Sequence, residues 1–170
     1  KERADIRQLS DLQGKQIVAT GPEYIGSYAA SLRELKDAGI KLDTLRIRHL
    51  GQPFSRVVDA VLNGEADAGF VRTGLIEAME RSGQLPLDRI EVINRQGFTG
   101  FPYLASTRLY PEYPFVALTH TEPDIVRQIT IALLSLKPTD AAARAAGIHG
   151  FNPPADYLPA EQALRELRLP

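Results

Sequence analysis

Short apolar runs alternate with amphipathic stretches along the first ninety residues, and this rhythm constrains the fold more than any single motif. Lys15-Gln16-Ile17-Val18-Ala19-Thr20 has the character of a short buried strand, and Gly21-Pro22 breaks it. From about Tyr24 to Ala38, Ile25, Tyr28, Leu32 and Leu35 recur at helical spacing, and Gly39 ends the run. Leu45 to Leu50 alternates as a half-exposed strand, and Pro53 opens a second helix whose apolar face carries Val57, Val58, Val61 and Leu62 before Asn63-Gly64. Ala66 to Val71 reads as a third strand, Gly74 to Arg81 as a third helix and Ile90 to Ile93 as a fourth strand. Strand–helix units in succession predict an α/β fold with a mostly parallel sheet flanked by helices on both faces.

Upstream, Ser10-Asp11-Leu12-Gln13-Gly14 reads as one capped turn closed by glycine. Beyond Asn94 the character changes. Gly97, Gly100 and Pro102 surround aromatic residues in a loop, Tyr103 to Thr107 reads as a strand, and Pro111 and Pro114 bracket Glu112-Tyr113. Thr121 is expected to cap a helix that begins at Pro123, with Ile125, Ile129, Leu133 and Leu136 as its apolar face. A short Ala-rich helix from Asp140 to Ala146 ends at Gly147, Asn152-Pro153-Pro154 is a turn, and Pro159 to Leu169 is amphipathic.

Composition narrows the function classes. With 170 residues, 44% of them apolar and a net charge of -1, the chain has the balance of a folded domain and no basic run to meet a phosphate backbone, so nucleic acid is not an expected partner. The absence of cysteine rules out a thiolate metal site and a Cys nucleophile. No apolar stretch approaches the roughly 20 residues a bilayer span needs, and the opening Lys1 to Asp5 lacks a signal-peptide pattern, so membrane attachment is expected only through flanking segments. His49, His120 and His149 stand alone without a ligand-spaced partner, and no Gly-x-Ser-x-Gly elbow exists. Glu65 and Asp67 read as turn acids. Neither a catalytic residue, a metal site nor a cofactor is expected.

Ligands of open parallel sheets bind outside the carboxyl ends of the strands. Three segments fall there. Tyr24, Gly26 and Ser27 lie at the first helix start, where free N–H groups attract anions and small residues permit close approach; the same stretch also reads as an ordinary strand–helix turn. Gln52 and Phe54 precede the second helix, offering a donor and an apolar wall, while Ser55 beside them also suits a cap. Arg72 and Thr73 follow the third strand, where a guanidinium is suited to a two-pronged bond with an oxyanion or to a surface ion pair.

Asp11-Leu12-Gln13-Gly14-Lys15 before a strand resembles the start of the second lobe of type 2 periplasmic binding proteins, and Arg56 to Val71 (RVVDAVLNGEADAGFV) is similar to their phosphonate-binding branch. Ser106 to Phe115, Gly147 to Phe151 and Pro153 to Tyr157 resemble the periplasmic sensor region of histidine kinases that detect tetrathionate or thiosulfate. The resemblance implies a lobe over residues 8–102, a hinge or crossing strand over 103–114, and a helical part over 115–170 that returns to a second, partial lobe. It adds Ser106 and Tyr113 to the ligand-binding residues. Where phosphonate binders carry Ser-Thr-Ser-Gly this chain has Tyr24-Ile25-Gly26-Ser27, and Phe54 stands in place of a histidine, so the resemblance points to another oxyanion or an organic acid. It implies the extracytoplasmic sensing domain of a two-component histidine kinase, periplasmic in location, that is not itself an enzyme. The alternatives are the solute-binding protein of an ABC importer and an enzyme built on the same fold. An incomplete sheet would leave edges open to a homodimer partner.

Overall fold

The computed structural model describes residues 5–169; the opening Lys1 to Ala4 and the terminal Pro170 lie outside them. Three short strands, β1 (Gln16–Ala19), β2 (Arg46–His49) and β3 (Ala68–Phe70), form a parallel sheet in the order β2-β1-β3. Ile17 pairs with Ile47 and Ala68, Val18 with Arg48 and Gly69, and Ala19 with His49 and Phe70. Paired residues of parallel strands share a face, so Ile17, Ala19, Ile47 and Phe70 look one way and Val18 and Gly69 the other.

Each face receives a helix. The helix α1 (Ala30–Asp37) places Leu32 and Leu35 against Ile17, Ala19 and Phe70. On the opposite face α2 (Ser55–Leu62) sets Val57 and Ala60 against Val18. The α2 side chains pack so closely on β3 that a Cβ at Gly69 would lie 2.6 Å from a Val57 methyl. A third cluster joins Val58 of α2 to Leu75 and Met79 of α3 (Leu75–Arg81) and to Leu85. The parallel sheet with helices on both faces is therefore as the sequence rhythm predicts.

The fourth strand is not. Ile90 packs beside the α3 cluster and Ile93 beside the α1 cluster, but the segment forms no ladder and ends at Asn94 in the left-handed region, φ 55°. Its β-branched residues mark burial rather than pairing. Tyr103 to Thr107 is likewise no strand; it forms a single antiparallel bridge, Ala105 to Gln96. The cap assignments also change. Glu122, not Thr121, precedes the helix α4 (Pro123–Ser135), and Phe54, not Ser55, precedes α2; neither supplies a side-chain cap.

The described chain falls into two compact units. One comprises the residues up to Tyr110 together with those from Leu158 onward, so the last helix, α6 (Leu158–Leu167), belongs with the sheet. The other, Pro111–Tyr157, contains α4 and the short α5 (Ala141–Ala146), which ends at Gly147 with φ 66°. Within it Phe115 meets Phe151 edge to face, and the Tyr157 hydroxyl donates to the Glu112 carbonyl at 2.6 Å. None of the described helices is long and apolar enough to cross a membrane.

Candidate ligand-binding site

The loops after the three strands converge at one rim. Tyr24 follows β1, Phe54 follows β2 and Arg72 follows β3. The Tyr24 and Phe54 rings meet edge to face at 5.1 Å, and the Arg72 guanidinium lies 5.7 Å from the centre of the Phe54 ring. A cation over an aromatic ring gains about 0.5–1 kcal/mol at an exposed site, enough to bias the rotamer of a long side chain. Arg72 makes no ion pair among the described residues; its Nη1 donates only weakly, at 3.5 Å, to the Thr73 carbonyl. A guanidinium held by a ring and left without a carboxylate has donors to offer.

Beside this stack lies a cleft of about 60 Å³, lined by Gly26, Arg72, Thr73, Glu77, Ser106 and Thr107 among others. Sites that enclose a drug-sized ligand run to roughly 300–1,000 Å³, so this cleft is well below that size. The start of α1 shapes it. Residues Ile25–Ala29 form a π-helical turn, in which the Ala30 N–H donates to the Ile25 carbonyl. Such turns widen a helix locally and recur at functional sites. Here the turn brings Gly26 into the cleft lining, where, apart from its chain neighbours and the local helix backbone, nothing lies within 4 Å of the position a Cβ would take.

Of the residues singled out from sequence, Gly26, Arg72, Thr73 and Ser106 line the cleft, and Tyr24 and Phe54 join it through Arg72. The other three are not in its lining. Ser27 is buried, with its Oγ 3.4 Å from the Tyr24 carbonyl, so it supports the turn instead of facing the cleft. Gln52 is exposed, and its carbonyl accepts from Arg56 at 3.4 Å. Tyr113 belongs to the second unit, where its side chain is exposed.

Sequence reasoning passed over Glu77 and Ser31, which also line the cleft. Glu77 accepts a hydrogen bond from the Leu104 N–H at 2.6 Å, and Ser31 donates to the Ser27 carbonyl at 2.7 Å. Glu77 lies within the first turn of α3, two positions beyond Leu75, so a polar residue on the rim side of a predicted helix was the available signal. His49 packs its ring against Tyr28 at 5.3 Å, in keeping with a packing role. Burial pushes the Tyr28 phenol above its ordinary pKa. No group of His, Asp or Glu among the described residues is arranged to hold a metal ion.

A parallel sheet with a rim of this kind defines a small-molecule binding domain of the α/β class, and the comparisons with known proteins agree. Residues 1–157 match the family of periplasmic substrate-binding proteins of ABC transporters for phosphonate, and the chain belongs to that family. It is also similar to the tetrathionate sensor histidine kinase of Salmonella typhimurium, with 30% identity over 165 residues that cover 96% of this chain. The chain spans 26% of the length of that relative.

Proposed function

We propose that this chain is the extracytoplasmic ligand-sensing domain of a two-component histidine kinase, and that it binds a small oxyanion or organic acid between two lobes. The observation that carries the reading is Arg72, held over Phe54 and free of any carboxylate among the described residues, beside a cleft lined by hydroxyls and the Gly26 turn. An anion there would take two-pronged hydrogen bonds from the guanidinium and accept from Thr73 and Ser106. The similarity to a tetrathionate sensor makes sulfur oxyanions the first ligands to try. A ligand can drive a signal only through a difference in affinity between the domain's conformations, so closure of the lobes on the anion is the step that would be transmitted. Among the described residues no further strand pairs with the outer edges of β2 and β3, and a second copy is the partner proposed for them.

The alternative, the solute receptor of an importer, draws support from the family description itself. The two readings share the site and differ in the gene downstream of the domain: membrane and kinase segments in one, a stop codon in the other.

The test is a thermal-shift screen of tetrathionate, thiosulfate, sulfate, phosphate, methylphosphonate and small carboxylates against the wild type and Arg72→Gln. At a hundredfold excess over Kd a ligand adds about 2.7 kcal/mol. For a domain of this size that raises Tm by roughly 5–10 °C. The substitution should abolish the shift. A wild-type Tm unmoved by every anion sinks the reading.

A further inference from the structure

The wall of the cleft formed by Leu104 to Thr107 is held by side chains and one isolated backbone bridge rather than by a ladder of strands. At one end the Leu104 N–H donates to Glu77. In the middle Asn94 donates to the Ser106 carbonyl at 2.9 Å, and the Gln96 N–H donates to the Ala105 carbonyl at 2.8 Å. At the other end Arg108 is locked onto α1: its backbone N–H and Nε both donate to Glu34 Oε1, at 3.0 and 2.8 Å, and its Nη2 donates to Asp37.

The same face of α1 continues to the last helix. Arg33 donates through Nε to both Asp37 oxygens, at 2.9 and 3.0 Å, and pairs through Nη1 with Glu166 of α6 at 3.1 Å. Lys36 reaches Glu166 as well, meeting its carboxylate at 3.5 Å and its carbonyl at 3.1 Å. Charges therefore run without a break from Arg108 through Glu34, Asp37 and Arg33 to Glu166. Apolar packing takes the same line, since α6 lies against α1 and against the Ile25–Ala29 turn, with Ala163 buried and Leu167 packed on the α1 cluster.

We propose that this charge ladder on α1, with Arg108 as the positioning residue of the cleft wall, couples Leu104 to Thr107 to the helix α6. Anything that displaces the wall pulls Arg108 against Glu34 and Asp37, and the load reaches Glu166 through Arg33. Isolated surface pairs contribute little, but here two guanidinia, Arg108 and Arg33, each serve two carboxylates and Asp37 serves both of them, the shared arrangement in which pairs reinforce one another. The functional meaning of the coupling rests on the cleft being the ligand wall; the coupling itself does not.

Hydrogen–deuterium exchange tests it on the protein without ligand. Arg108→Gln should speed exchange about three- to tenfold in residues 103–108 and also in α6, and Glu166→Gln should do the same from the other end. The double variant should fall short of the product of the two, the mark of residues that share a network. Each substitution loosening only its own segment overturns the proposal. Should a variant not fold, a salt series on the wild type gives the same readout. Raising ionic strength from roughly 0.05 to 1 M shortens the screening length to about 3 Å and should loosen both segments together. Loosening of one alone again overturns the coupling. Coupled exchange in a protein that no anion stabilises removes the ligand reading and leaves the ladder; anion binding with uncoupled exchange does the reverse.

Discussion

The helices α1 and α4 carry similar apolar patterns and meet different surroundings. In α1, Leu32 and Leu35 are buried against the sheet. In α4, Ile125, Ile129, Ile131 and Leu134 remain between 39% and 57% exposed, and no residue of the helix is buried. The contrast extends to the two units. The first holds three apolar clusters around a parallel sheet, whereas across Pro111–Tyr157 the single buried residue is Ala143. Helical periodicity and the energy of burial are thus separate properties. A period of 3.6 places apolar side chains on one face, and only a partner surface converts that face into stability.

The sharpest way to break this comparison is to shorten equivalent side chains in both helices' neighbourhoods. Ile17→Ala or Leu35→Ala removes a side chain that is at most 1% exposed and should cost about 2–5 kcal/mol in denaturant unfolding. Ile129→Ala on α4 should change stability by less than about 0.5 kcal/mol, as surface substitutions do. Equal costs at the two places would show that the α4 face is covered in solution.

Gly69→Ala has the next largest expected effect. The added Cβ would meet a Val57 methyl at 2.6 Å and a Val61 methyl at 3.3 Å, so α2 must shift away from β3. Overpacking of this kind costs about 1–3 kcal/mol. The same change at Gly26, whose Cβ position is clear, should leave stability within roughly 0.5 kcal/mol. Only the first should lower the denaturation midpoint, and a neutral Gly69→Ala would mean that the two layers are less tightly packed than the sheet suggests.

These contrasts also mark how far the fold was legible in the sequence. The three parallel strands and their helices were, because Ile17, Val18, Leu35 and Val57 are apolar at the spacing that burial demands. The carboxyl-end rim came from topology, which is why Arg72, Phe54 and Gly26 could be placed near one another from the sequence alone. The strands expected at Ile90–Ile93 and Tyr103–Thr107 failed for one physical reason. Apolar and β-branched residues report that a segment is covered, and cannot report whether its backbone pairs with another strand or with side chains such as Glu77 and Asn94. The α1 ladder was hidden for a related reason: Arg108 lies more than seventy positions from Glu34 and Asp37, and charge pairs at that range leave no periodic trace.

The smallest expected effect concerns that ladder against its counterpart on α4. Partial burial works against the Asp37 carboxylate, but hydrogen bonds from Arg33 and Arg108 outweigh it and hold its pKa below the ordinary 3.8. A depressed carboxylate binds fewer protons in the folded than in the unfolded protein between the two pKa values. Its stabilisation is therefore complete above pH 3.8 and lost as pH falls through the lower folded value. With Asp37 about a third exposed and its partner Arg108 more so, solvent screening keeps the effect below about 1 kcal/mol. Asp124 and Arg127 on α4, at 83% and 67% exposure, should contribute nothing measurable. Glu34 and Glu166 face the same guanidinia, so the comparison must be made by substitution and not from the wild-type curve alone. Asp37→Asn should cost stability at about pH 6 and progressively less toward about pH 3, while Asp124→Asn should track the wild type throughout. A deficit in Asp37→Asn that is the same at both ends of that range would mean that the shape of the side chain, and not its charge, holds Arg33 and Arg108 in place.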